Sequence, residues 1–97
     1  MNIKKIRESF GTNDISITLT YTDETIDNRA AKKNLMNFIR RIRFLRKKNG
    51  LSDLKYLAVT ETEKPQHHII THEISQDIIS KLWPFGRNQV NKFLEIV

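Results

Sequence analysis

Cysteine is absent from the 97 residues, which excludes disulfides and thiolate metal sites and leaves only oxygen and nitrogen donors for any metal. No segment approaches the roughly 20 apolar residues of a membrane-spanning helix, and no apolar stretch follows Lys4, Lys5 and Arg7 to serve as a signal peptide, so a cytoplasmic protein is expected. Glycine and proline number only three and two; no linker, internal repeat or low-complexity tract interrupts what reads as one domain with a modest core. The strands also lack the aromatic-rich signature of the common RNA-binding sheet domain. Acidic residues are outnumbered, eleven against seventeen Lys and Arg, for a net charge of +6. That balance favours a polyanionic partner, although many basic domains bind none.

The hydrophobic pattern resolves into six elements after an arm at 1–13, whose Ile3, Ile6 and Phe10 fit either a short docking helix or a loosely held terminus. Ile15 to Tyr21 alternates apolar and hydroxyl residues, the period of a strand with one buried face; Ser16, Thr18 and Thr20 fall on the other. Ala30 to Asn49 follows helical spacing, opened by a cap at Asp27 or Asn28 and closed by Asn49-Gly50. Its stripe of Ala31, Leu35, Phe38, Ile39, Ile42 and Leu45 is core. Leu54 to Thr60 is a strand, and a turn at Lys64-Pro65 leads into the β-branched run Ile69-Ile70-Thr71. Ser75 caps a short helix to Leu82 with Ile78, Ile79 and Leu82 inward, Trp83 and Phe85 read as core lids, and Arg87 to Val97 as a last strand. Strand, helix, strand, strand, helix, strand is the α+β succession of the ferredoxin-like or split βαβ arrangement, an antiparallel sheet covered by helices on one face.

Chemistry concentrates in Glu61 to His72, ETEKPQHHIITH. Side chains alternate along a strand, so Gln66, His68 and Ile70 share one face while His67, Ile69 and Thr71 share the other. A tight hairpin returns Glu61 beside Gln66 and His68. A carboxylate, an imidazole and an amide oxygen form a mixed donor set suited to Mg²⁺ or Mn²⁺; a purely structural histidine pair is the competing reading.

The ordered set ISITLTY, RRIRFLRKKNGL, LKYLAVTE, HHII and KLWPFGRNQVNKF resembles the replication-associated proteins of small phages and plasmids, which carry the His-hydrophobic-His (HUH) endonuclease domain of rolling-circle replication. The resemblance covers roughly residues 10–97, so the domain is taken as 14–97. It implies a divalent metal, Mn²⁺ or Mg²⁺, polarising a phosphate of single-stranded or hairpin DNA, and a tyrosine nucleophile. His68 matches the second metal histidine and Glu61 the acidic ligand. Gln66 stands where the family has its first histidine, and His67 matches the outward-turned middle residue. The family's tyrosine lies beyond the last strand, so none of the present residues is assigned as catalytic. Tyr21 and Tyr56 sit in strand-like runs as core, and the chain is expected not to complete cleavage.

The long helix adds a candidate DNA surface. Lys33, Arg40, Arg41, Lys47 and Lys48 gather opposite its apolar stripe around Phe44, and Arg87 and Lys92 join them from the last strand. A solvated face, with Phe44 packed on the arm, is the alternative. On function, a DNA-binding and metal-binding domain of a replication initiator is weighed against a non-catalytic nucleic-acid-binding module of ferredoxin-like shape.

Overall fold

The computed structural model describes residues 9–93. Four strands, β1 (Ile15–Thr20), β2 (Tyr56–Glu61), β3 (Gln66–Thr71) and β4 (Asn88–Lys92), and two helices, α1 (Asn28–Lys48) and α2 (Gln76–Leu82), follow the expected succession. The strands form one sheet in the order β2-β3-β1-β4, and every pairing is antiparallel. β1-α1-β2 and β3-α2-β4 are thus two βαβ units, each with its strands separated by a strand of the other, as the ferredoxin-like arrangement requires. The arm at 1–8 and the expected continuation of the last strand to Val97 lie outside the described residues.

Local chemistry sets the boundaries of α1. The Asp27 side chain accepts the Ala30 N–H at 2.8 Å, satisfying one of the donors that every helix start leaves open. At the other end Gly50 takes a left-handed φ of 72°. Gly50 N–H then reaches the Lys47 carbonyl at 3.1 Å, and Leu51 N–H the Arg46 carbonyl at 2.9 Å, the paired bonds of a glycine-ended helix. Arg46, Lys47 and Lys48 crowd this last turn, where the helix dipole favours cations.

The core lies between the sheet and α1. Ile15, Ile17 and Leu19 from β1 and Ile69 from β3 meet Ala31, Leu35, Phe38, Ile39 and Ile42. Trp83 closes one end. Its ring contacts Tyr21, Phe38 and His67 edge-on, with centroids 5.1, 5.9 and 5.6 Å away, geometries favoured by aromatic quadrupoles. Its Nε1–H donates to the Thr20 carbonyl at 3.0 Å. Two inward assignments are corrected: Ile78 is 38% exposed and Phe85 42%. One turn of α2 buries a single residue, Ile79, and Phe85 rests on the outer side of Trp83 (5.1 Å) where the chain turns away from the core.

The loop after Trp83 approaches β1 with no room for a side chain. A Cβ on Gly86 would stand 2.2 Å from the Thr20 carbonyl oxygen and 2.9 Å from Thr22 N, both backbone atoms that cannot swing aside. Gly86→Ala is therefore expected to lower the thermal midpoint by several degrees, roughly the effect of 1–3 kcal/mol. Gly11→Ala, with open space around it, is expected to leave the midpoint within about a degree, and differential scanning calorimetry distinguishes the two.

Candidate metal and nucleic-acid site

β3 runs between β1 and β2, and its register decides which of its side chains emerge. Gln66 stands opposite Glu61 on β2 and Thr20 on β1; His68 stands opposite Val59 and Thr18. Directly paired residues share a face, so Glu61, Gln66, His68, Thr18 and Thr20 all lie on the side of the sheet away from the helices. Burial agrees: His67, Ile69 and Thr71 are buried, and Gln66, His68 and Ile70 only partly so.

The three residues expected to meet do so. Glu61 is the hub, one carboxylate oxygen accepting from Gln66 Nε2 at 2.7 Å and the other lying 2.8 Å from His68 Nε2. Both hydrogen bonds stabilise the anion, and they hold the Glu61 carboxyl below the usual carboxylate range, the Gln66 bond contributing most. The His68 and Glu61 side chains are 39% and 52% exposed, open to solvent and to an arriving ion. Across the ring, His68 Nδ1 lies 3.4 Å from Thr18 Oγ1.

This donor set fits a hard divalent cation in kind. It offers two carboxylate oxygens, one imidazole nitrogen and one amide, all of first-row or alkaline-earth preference. Gln66 presents its nitrogen to Glu61, so its carbonyl oxygen joins the set after a half-turn of the amide. Thr18 can accept a proton from His68 Nδ1, the tautomer that leaves the Nε2 lone pair for a ligand. Among the described residues no three His, Cys, Asp or Glu side chains cluster as a metal group; the amide completes the trio here.

His67, one residue along, does the opposite. Its ring is fully buried, bonded to Thr60 Oγ1 through Nδ1 at 2.7 Å and to the Tyr21 hydroxyl through Nε2 at 2.7 Å. Tyr21 in turn donates to the Ala31 carbonyl at 3.3 Å, and burial raises its phenol pKa, an effect that Asn34 partly offsets. Tyr21 is thus a core partner and no nucleophile. Tyr56 sits at the opposite end of β2 from Glu61, paired with the buried Thr71, on the helix side of the sheet.

The cationic residues fall in two groups. Lys33, Arg40, Arg41, Lys47 and Lys48 are all exposed on α1, behind the sheet relative to Glu61. α1 carries no acidic residue, and among the described residues its one ion pair is Arg43 with Asp53 at 3.0 Å. Arg87 precedes β4, and its carbonyl accepts the Thr20 N–H at 2.9 Å. Continuing the Leu19–Asn88 register by one residue puts Arg87 on the open face, in the row of Glu61, Gln66 and Thr20. Lys92 pairs with Ile15, at the far end of β4. Sequence reasoning missed the Thr18 contact and the Thr60 and Tyr21 clamp on His67. Alternation put the hydroxyls on their faces, but the register that brings them to the imidazoles is a long-range fact.

The buried imidazole makes stability pH-dependent. Burial, with the neighbouring His68 charge adding to it and the Ala31 backbone opposing, lowers the pKa of His67 to about 4. The unfolded chain, titrating near 6.5, therefore binds the extra proton first as pH falls. Stability is full above pH 6.5, declines from there to pH 4, and gains no further loss from this group below that. The decline amounts to roughly 3 kcal/mol; urea unfolding of the native chain is expected to show it, and His67→Gln, which has no proton to bind, to lack that slope. The Glu61 contribution falls in a separate window, disappearing below the ordinary carboxylate range.

The comparisons with known proteins agree with this geometry. The replication-associated protein family, described by its ORF2 members, matches residues 14–97, which include every element of the sheet and both helices. No curated protein and no solved structure matches the chain. By the family match, the chain belongs to the ORF2-type replication-associated proteins.

Proposed function

We propose that this domain binds a divalent metal, Mn²⁺ or Mg²⁺, through Glu61, His68 and Gln66, and holds single-stranded or hairpin DNA over the open face of its sheet, as a rolling-circle replication domain of the HUH lineage. The observation that carries the reading is the convergence of the three side chains on one exposed carboxylate. Family membership supports a role in DNA replication. When bound, the metal would supply positive charge to a DNA phosphate oxygen.

The residues of the chain have distinct tasks in this reading. Glu61 provides the anionic ligand, already ionised because two hydrogen bonds favour its charged form. His68 provides Nε2, and Thr18 orients the ring by accepting at Nδ1. Arg87, in the same row, meets a phosphate from the side. The exposed cations of α1, on the opposite layer, raise the local concentration of DNA without touching the site. Neither Tyr21 nor Tyr56 approaches Glu61, so the proposal covers binding and polarisation of DNA, with no cleavage step assigned to these residues.

A second reading has its own support. Glu61 is hydrogen-bonded to both of its partners as they stand, and a glutamine replaces one of the two histidines of the motif. A module that recognises DNA without metal would need nothing more. Calorimetric titration of Mn²⁺ into the native chain separates the two. Saturable binding is expected at neutral pH, abolished by His68→Ala and at least tenfold weaker in Glu61→Gln. Affinity for a hairpin oligonucleotide should rise with Mn²⁺ in the native chain alone. Hairpin binding with no metal uptake would favour the non-catalytic module.

A further inference from the structure

α1 and the exposed edge of the sheet leave an open groove on the helix side, away from Glu61 and His68. It consists of two hollows of about 570 and 450 Å³ that share Met36, Ile39 and Tyr56. One extends past Phe44 and Lys47 at the end of α1. The other follows β2 to Thr60 and Thr62, the residues on either side of Glu61. β2 is the outermost strand, so the groove ends where the chain rounds the sheet edge to the candidate metal site.

Its lining is unusual for a solvated surface. Seven large apolar side chains are exposed among the described residues, and four of them, Met36, Phe44, Leu51 and Tyr56, line this groove. Phe44, 65% exposed, is the most open of all. Such a concentration marks an interaction surface. The α1 wall is cationic: Lys32, Arg40 and Lys47 stand about 12 and about 10 Å apart along the helix axis, and none has a carboxylate partner among the described residues. Arg43, between them, is held by Asp53. A second copy of the chain would bring another acid-free α1 against this one, which like charge opposes. A partner with an anionic backbone and flat apolar groups complements both walls.

We propose that this groove holds a single-stranded segment of DNA, its phosphates along Lys32, Arg40 and Lys47 and its bases against Phe44 and Tyr56. The strand then continues round the β2 edge to Glu61. Tyr56 and Glu61 are the two ends of β2, about 17 Å apart, so one strand occupies groove and metal site together. Aromatic faces beside a tract of cations are the physical requirements for holding unpaired bases without regard to sequence. The inference rests on the DNA-binding reading above and adds a second contact site on the other layer of the fold.

The test measures fluorescence anisotropy of labelled oligothymidine, about 12 nucleotides long, in EDTA so that metal binding does not enter. Phe44→Ala should bind about tenfold more weakly. Phe44→Trp should keep the affinity, with emission quenched as a base stacks on the indole. Arg40→Glu with Lys47→Glu should weaken binding further and flatten its salt dependence, while Lys81→Glu, an exposed cation on α2, should change little. Equal behaviour of Phe44→Ala and Lys81→Glu, in a native chain that binds, would overturn the groove and leave the DNA-binding reading standing. No binding by the native chain would overturn both. A dimer that Phe44→Ala dissociates, at unchanged DNA affinity, would assign the groove to a second copy and sink the proposal.

Discussion

The register of β3 between β1 and β2 is the constraint on which the rest of the molecule depends. Because side chains on a strand alternate, a slip of one residue would turn Gln66 and His68 into the core and expel His67, Ile69 and Thr71. Two kinds of interaction oppose that slip. The row Ile17, Ile69 and Ala58 buries aliphatic surface under α1, each isoleucine contributing on the order of 2 kcal/mol. Polar bonds sharpen the choice: His67 finds Thr60 on one side and Tyr21 on the other, and Thr71 donates to the Lys55 carbonyl at 2.7 Å. In a slipped register these buried groups would lose their partners, at about 1–3 kcal/mol each.

The same constraint gives two adjacent histidines opposite roles. His67 is sealed and kept neutral, because charging it would strand a cation in the core. His68 stays open to solvent beside a carboxylate, where a proton or a metal ion can sit between Nε2 and Glu61. Neighbouring structure fixes the frame around them. Trp83 hydrogen-bonds the Thr20 carbonyl, and Gly86 lets the following loop close onto the same residue. The end of β1 is thereby held level with Gln66, and Arg87 enters the row of the site.

α1 has two faces with different duties. The inward stripe supplies half of the core, and the outward side carries cations with no acid among them. Self-repulsion along such a helix is tolerated because packing on the sheet, more than intrinsic propensity, supplies its stability. What remains is a fixed positive field with apolar side chains at its base, on the side of the sheet opposite the carboxylate. A polyanion has reason to contact both layers.

Much of this was legible beforehand. Period-two alternation identified β1 and β3 and assigned each residue to its face; Asp27 and Asn49-Gly50 marked the ends of α1; and the hairpin at Lys64-Pro65 brought Glu61 back to Gln66 and His68. Each is a short-range signal, set by backbone geometry over a few residues, and so is written in local sequence. Tertiary structure alone decided the exposure of Ile78 and Phe85, the contact of Thr18 with His68, the clamp of Thr60 and Tyr21 on His67, and the groove beside β2. Those depend on residues far apart in the chain meeting across a sheet whose strand order, β2-β3-β1-β4, is not sequential, and no local pattern encodes such a meeting.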